Sequence, residues 1–141
     1  MIGLDCNILV QLAFADHPAH VQTAAKVRVE VAAGEILVFP PLVATEFLHV
    51  VTDERRFSPP LAMSEAIAWL NEFVANPNVR VIHSTESSLA QTCEWLQRYK
   101  LGRKRILDTH LAAILWTNSV KRLLTSNPSD AIFPELEVVA P

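Results

Sequence analysis

Four acidic side chains of this chain stand within or beside apolar segments, where an unpaired carboxylate is unfavourable. They are Asp5, Glu46, Asp108 and Asp130. A charge buried without a partner costs several kcal/mol unless it becomes neutral. A shared divalent cation would compensate the set, because hard cations such as Mg²⁺ prefer oxygen ligands. Since paired ions of this kind can activate water and stabilise a leaving oxygen, the set predicts metal-dependent phosphodiester cleavage.

Each carboxylate also has a purely structural explanation. Asp5 and Asp108 can each cap a helix, and an acid in the first helical turn is favoured by the helix dipole. Glu46 lies near the edge of a buried helical stripe and can be a solvated surface glutamate. Asp130 lies in a loop after a strand, where aspartate is common in turns. The hypothesis of a site therefore depends on the joint placement of the four residues.

Short apolar runs alternate with segments of helical periodicity along the chain. Strands are predicted at residues 1–4, 36–39, 79–82, 122–125 and 136–139. Helices are predicted at residues 7–15, 20–33, 41–53, 64–75, 84–99 and 106–117. The alternation indicates an α/β fold with parallel β-α-β connections and a short sheet covered on both faces. Such sheets bind ligands at the carboxyl ends of their strands, where Asp5, Asp108 and Asp130 can meet.

Composition limits the class of protein. The chain has 141 residues, of which 50% are hydrophobic and 19% charged, and this suits a single domain over residues 1–141. The net charge of −3 gives no global sign of nucleic-acid binding, although a local basic strip can act through its own field. Two cysteines without a C-x-x-C pattern predict a reduced, cytoplasmic protein. Neither a membrane span nor a signal peptide is expected.

A basic stretch directly precedes Asp108 and is a candidate for binding RNA phosphates. It contains Arg103, Lys104 and Arg105, preceded by Arg98 and Lys100. The alternative is a solvated helix end and loop. Arg55 and Arg56 form a second basic candidate. The sequence contains no zinc motif, G-x-S-x-G elbow, Walker loop or G-x-G-x-x-G, so the corresponding sites are not expected.

In order and spacing, four segments resemble the PIN-domain nucleases over nearly the whole chain. They are Leu4-Asp5-Cys6-Asn7-Ile8-Leu9, Ala44-Thr45-Glu46-Phe47, Asp108-Thr109-His110-Leu111-Ala112-Ala113 and Leu124-Thr125-Ser126-Asn127-Pro128-Ser129-Asp130. The length and the ending Phe133-Pro134-Glu135-Leu136-Glu137-Val138 are most similar to the VapC toxins of bacterial and archaeal toxin–antitoxin pairs. The resemblance implies a three-layer, Rossmann-like PIN fold around a mostly parallel sheet.

The resemblance also implies a function, a Mg²⁺- or Mn²⁺-dependent endoribonuclease that leaves a 3′-hydroxyl and a 5′-phosphate. By position, Asp5, Glu46 and Asp108 match the three central acids of the family, and Asp130 matches the fourth, less constant acid. The expected partners are an RNA substrate, a VapB-like antitoxin and a second copy of the chain in a homodimer.

The chain departs from the family pattern beside the first and the last acid. Cys6 stands where the family often has threonine, and a thiol is a weaker hydrogen-bond donor than a hydroxyl. Ala131 stands where phenylalanine often follows the last aspartate. These differences keep open a non-catalytic PIN-like module that binds RNA or protein, with the acids acting as caps. A phosphotransferase of the haloacid dehalogenase type is disfavoured because it needs an aspartate where Asn7 stands.

Overall fold

The computed structural model describes residues 1–130 and 133–141, and of Asp130 only the backbone. The strands in this part of the chain are β1 (Ile2–Leu4), β2 (Leu37–Phe39), β3 (Val79–Val81), β4 (Arg122–Leu124) and β5 (Glu137–Val139). The helices are α1 (Cys6–Ala13), α2 (His20–Ala32), α3 (Pro41–Val51), α4 (Met63–Ala75), α5 (Glu86–Arg98) and α6 (Ile106–Thr117). Short 3-10 turns occupy Arg103–Arg105 and Pro128–Asp130.

Every predicted strand and helix is present, and the differences lie at the boundaries and in two loops. Helix α6 has the predicted bounds, whereas α1 ends at Ala13 because Phe14 adopts an extended backbone. Thr85 caps α5 by accepting a hydrogen bond from the Ser88 backbone N–H. The two segments predicted as loops, around residues 103–105 and 128–130, contain 3-10 turns. None of the described helices is long and apolar enough to cross a membrane.

The five strands form one sheet in the order β3-β2-β1-β4-β5, and every described ladder is parallel. Every residue of β1 and β2 is buried, as expected for strands covered on both faces. The helices flank this sheet, with α5 packed along α6 and α1 in contact with α2 and α3. The predicted three-layer α/β fold is confirmed.

The pairing of β1 with β4 brings two distant segments to one edge of the sheet. Leu4 pairs with Leu124, and the Asp5 backbone N–H donates to the Leu124 carbonyl at 3.1 Å. The residues that follow the two strands, Asp5 and Thr125, therefore lie side by side. On the face of β1, a Cβ added at Gly3 would lie 2.5 Å from the Leu115 methyl carbons. The small residue thus lets α6 pack closely on β1.

At the amino-terminal ends of the strands, a network of charged side chains surrounds Arg122, the first residue of β4. Its guanidinium donates two hydrogen bonds to Glu30, at 2.8 and 3.1 Å, and one to Glu35 at 3.1 Å. Lys26 also contacts Glu30, at 2.9 Å. Hydrogen bonds from Arg122 and Lys26 lower the pKa of the buried Glu30 to about 2. Helix α2 is therefore attached to β4 at the end remote from Asp5.

Candidate functional site

A cleft of about 550 Å³ opens at the carboxyl edge of β1 and β4. Three of the four predicted acids line it, namely Asp5, Glu46 and Asp108. They come from three different elements: the end of β1, the second turn of α3 and the first turn of α6. The side chain of Asp130, the fourth predicted acid, lies outside the described residues, as does Ala131.

Asp5 is held in place by three donors. Its Oδ1 accepts from the Cys6 backbone N–H at 2.7 Å, which makes Asp5 the N-cap of α1. Its Oδ2 accepts from Asn7 Nδ2 at 2.7 Å and from the Thr125 hydroxyl at 2.6 Å. Asp5 therefore fills the predicted capping role, and it also lines the cleft. The hydroxyl support that Cys6 cannot give comes from Thr125, the residue directly after the neighbouring strand β4.

The loop after β4 is fastened to the first two helices by further hydrogen bonds. Asn7 Oδ1 accepts from the Ser126 backbone N–H at 3.1 Å. The buried Gln11 side chain donates to Ser126 Oγ at 2.8 Å and accepts from the Thr23 hydroxyl at 2.6 Å. This chain of contacts fixes the loop that carries Asn127 at the margin of the cleft.

Glu46 shows that the acids affect one another. Desolvation raises its pKa, and the charges of Asp5 and Asp108 raise it further, while Arg56 and His49 lower it. Its side chain is still open to solvent at the cleft, so the burial is only partial. A raised pKa in a group of neighbouring carboxylates indicates uncompensated negative charge. A cation that entered the cleft would relieve it.

The Cys6 side chain is buried behind these acids. Burial raises the pKa of its thiol well above the usual range, and Glu46 and Asp5 raise it further. The thiol therefore stays protonated at neutral pH and adds no charge to the cleft.

Asp108 lies in the first turn of α6, and its side chain is 49% exposed. Arg105, three residues earlier, places a guanidinium nitrogen 3.6 Å from its carboxylate. The rest of the predicted basic strip lies elsewhere, because Arg103 and Lys104 are exposed and line a shallow surface depression beside Gly102. The basic residue in the cleft lining is Arg56, from the second basic candidate.

The possible metal ligands are spaced apart from one another in the cleft. Within residues 1–130 and 133–141, no three His, Cys, Asp or Glu side chains already stand close enough together to hold a metal ion. Asp5, Glu46 and Asp108 nevertheless share the cleft, and each is at least partly exposed to it. Mg²⁺ usually keeps several waters and binds one or two carboxylates directly. The donor set therefore suits a hydrated ion.

Sequence reasoning missed three functional features of this cleft. Asn7 belongs to a family motif and distinguishes the chain from another enzyme class, but its hydrogen bond to Asp5 was not predicted. Thr125 was part of a family motif with no assigned contact, although a carboxylate at a strand end needs donors from the adjacent strand. His17, from the loop before α2, also lines the cleft, and no spacing signal in the sequence indicated it.

The fold and the cleft together describe an α/β protein with three acidic side chains at the carboxyl edge of a parallel sheet. No family model and no curated protein matches the sequence, but solved structures match almost the whole chain. The VapBC2 structure from Rickettsia felis, bound to a promoter DNA fragment, has a TM-score of 0.73 at 18% identity, covering 99% of this chain and 98% of that one.

Two further solved structures also match over almost the whole chain. VapC20 of Mycobacterium tuberculosis, a toxin that cleaves the sarcin–ricin loop, has a TM-score of 0.68 at 20% identity over 96% of this chain and 98% of that one. FitAcB from Neisseria gonorrhoeae has a TM-score of 0.66 at 16% identity over 98% and 96%. At these identities the likeness is one of fold, and it confirms the fold that the sequence resemblance predicted.

The Thr125 hydroxyl is expected to stabilise the fold by its bond to Asp5. Replacing Thr125 by Val keeps the shape of this buried side chain but removes its hydrogen bond to the Asp5 carboxylate and the two bonds that its hydroxyl accepts from Asn7 Nδ2 and the Asn127 backbone N–H. The bond to the charged group alone is worth about 1.5–3 kcal/mol. Urea unfolding at pH 7 should show a loss of at least that size for Thr125→Val. Thr125→Ser, which keeps the hydroxyl, is the control and should remain closer to the wild type. Equal losses in both variants would show that the hydrogen bond does not matter.

Glu46 should make stability depend on pH. Its folded pKa is raised, so the folded state binds the proton more tightly than the unfolded state. Its contribution is then fully present below the unfolded pKa of ~4.3 and is lost as the pH rises through the folded pKa. Glu46→Gln should be more stable than the wild type near pH 7 and should match it near pH 4, in urea unfolding with EDTA. Glu72→Gln, on the exposed face of α4, is the control, and its difference in stability from the wild type should be the same at both pH values.

Proposed function

We propose that this chain is a metal-dependent endoribonuclease of the PIN family, the VapC-type toxin of a toxin–antitoxin pair. The observation that supports this most is the convergence of Asp5, Glu46 and Asp108 on one cleft at the carboxyl edge of a parallel sheet. The similar folds of VapBC2, VapC20 and FitAcB support the same proposal. The proposed cofactor is Mg²⁺ or Mn²⁺, with Asp130 as the conditional fourth acid.

The chemistry that a divalent ion supplies in such a site is activation of a water molecule and stabilisation of the leaving oxygen. Asp5, Glu46 and Asp108 would hold the ion, directly or through water. Asp5 is already oriented, because its two oxygens are fixed by Cys6 N–H, Asn7 and Thr125. Water attacks the phosphorus and the 3′ oxygen leaves, which gives a 3′-hydroxyl and a 5′-phosphate.

The nuclease proposal is tested by cleavage of an RNA panel that includes a sarcin–ricin loop fragment, followed on denaturing gels with Mg²⁺, Mn²⁺ or EDTA. We expect cleavage with either metal and none in EDTA. Asp5→Asn and Asp108→Asn should each lower the rate at least ~100-fold, because each removes a charged ligand at the reacting centre. Asp16→Asn, an exposed aspartate outside the cleft lining, is the matched control.

Activity that both substitutions leave unchanged would contradict the mechanism. If the wild type cleaves no RNA and binds neither Mg²⁺ nor Mn²⁺ at millimolar concentration, the non-catalytic binding module becomes the better explanation. In that case the acids serve as caps, a role that Asp5 does fill in the structure.

The partners follow from the same proposal. A VapB-like antitoxin would cover the acidic cleft and block substrate entry. A homodimer is supported by α4, which presents three exposed apolar side chains on one helical face, namely Met63, Ile67 and Val74. These positions fall within about 40° of one another at 100° per residue, and an exposed apolar stripe of this kind often marks an interface.

The dimer proposal predicts a change of mass with one substitution. Ile67→Glu places a charge in the middle of the α4 stripe, and it should convert a dimer into a monomer in sedimentation velocity at micromolar concentration. Leu89→Glu, at a leucine on α5 that is more exposed than Ile67, is the control and should leave the dimer intact. A wild-type protein that sediments as a monomer would contradict the proposed homodimer.

A further inference from the structure

Arg56 occupies an unusual place for a basic side chain, in the lining of a cleft whose floor is acidic. Among the residues that the structure describes along this cleft, it is the one arginine or lysine. Its charge reaches the centre of the cleft, because it opposes the rise in the pKa of both Glu46 and Cys6. The question is whether Arg56 serves only to balance the acids or binds a ligand.

The conformation of the segment between α3 and α4 places Arg56 there. The Asp53 carbonyl accepts from the backbone N–H of Arg56 at 3.0 Å and of Phe57 at 3.1 Å, which forms a tight turn. The Phe57 ring stacks on Phe14, at the end of α1, with centroids 4.3 Å apart and planes 7° from parallel. This stack attaches the segment to the helix that begins at Asp5, so Arg56 has a defined position at the cleft.

The neighbouring arginine, Arg55, has a guanidinium that is hydrogen-bonded to an acid within the same segment. Arg55 donates to both carboxylate oxygens of Asp53, each at 2.9 Å. Arg56 has its Nε 3.8 Å from the same carboxylate, outside hydrogen-bond range, and its side chain is 60% exposed. Since Arg55 already occupies Asp53 with two hydrogen bonds, the donors of Arg56 are available to a ligand in the cleft.

The proposed function requires a polyanion to enter a cleft that carries three carboxylates. Their repulsion opposes an approaching phosphate, and a guanidinium at the rim offsets it. The planar fork of arginine also suits phosphate oxygens, which it can bind through two parallel hydrogen bonds. The Arg56 side chain both lines the cleft and is 60% exposed, so a ligand that enters from solvent can reach it.

We propose that Arg56 is a substrate-binding residue whose guanidinium holds a backbone phosphate of the RNA beside the acidic centre. This inference deepens the proposed nuclease function and depends on it. It adds a candidate to the sequence-based assignment of RNA binding to Arg103, Lys104 and Arg105, which lie outside the cleft lining. Arg105 remains beside Asp108 and contacts that acid.

The test measures RNA binding separately from cleavage. A fluorescein-labelled single-stranded RNA is titrated with the Asp5→Asn protein in Mg²⁺, and anisotropy gives Kd at several salt concentrations. Adding Arg56→Gln should raise Kd about tenfold and lower the slope of log K against log salt by about 0.7, the value for one lost phosphate contact on a single strand. Arg56→Lys should keep the slope and lose part of the affinity, because the charge remains without the fork.

The control variant is Arg80→Gln, which removes the same charge from an exposed position on β3. It should leave Kd within about twofold, since one distant surface charge is largely screened. Arg55→Gln is not a suitable control, because it would release Asp53 to bind Arg56. Thermal unfolding of each variant verifies that the fold is kept, as expected for a substitution at an exposed side chain.

Two outcomes would overturn the proposal for Arg56. One is an Arg56→Gln variant that binds RNA as tightly, and with the same salt slope, as Arg80→Gln. The other is an unchanged RNA affinity with an altered Mg²⁺ requirement for cleavage, which would make Arg56 a counter-ion of the acids. Both differ from failure of the proposed function, in which the wild-type protein cleaves no RNA with either metal.

Discussion

The parallel pairing of β1 with β4 is the constraint from which the site follows. It joins residues about 120 positions apart and sets Thr125 beside Asp5, so that a hydroxyl from one strand orients a carboxylate at the end of the other. Because β1 is the central strand, both neighbours and α6 fix its position. A carboxylate of the candidate site is thus supported by the buried central strand of the sheet.

Acidic side chains have opposite surroundings at the amino and carboxyl ends of the strands. At the amino edge, Glu30 is buried but receives hydrogen bonds from Arg122 and Lys26, and its pKa falls to about 2. At the carboxyl edge, Glu46 is surrounded by other acids, and its pKa rises. The first arrangement satisfies its charges within the fold, whereas the second leaves them for a ligand. This difference separates a structural ion pair from a candidate site.

The sequence predicted the elements well because their signals are local. Helix α6 was predicted with its observed bounds, since apolar periodicity and a first-turn acid define it. The rule that ligands bind at strand ends predicted that Asp5, Asp108 and Asp130 can meet, and Asp5 and Asp108 do line one cleft, with Glu46 from α3 beside them. The contacts that orient the site could not be predicted in this way. Thr125 reaches Asp5 through the order of the strands in the sheet. Arg56 lies in a segment that is attached to the end of α1 by the stack of Phe57 on Phe14.

The burial of Cys6 has a consequence for the reactivity of this protein toward oxidants and alkylating agents. Only a thiolate attacks such reagents, and a thiol that is buried among acids holds its proton. Cys93, on the surface of α5, is accessible instead. A maleimide dye should therefore attach at Cys93 and leave the cleft unmodified. The natural sequence thus offers a single reporter position, without engineering, for following partners as they bind.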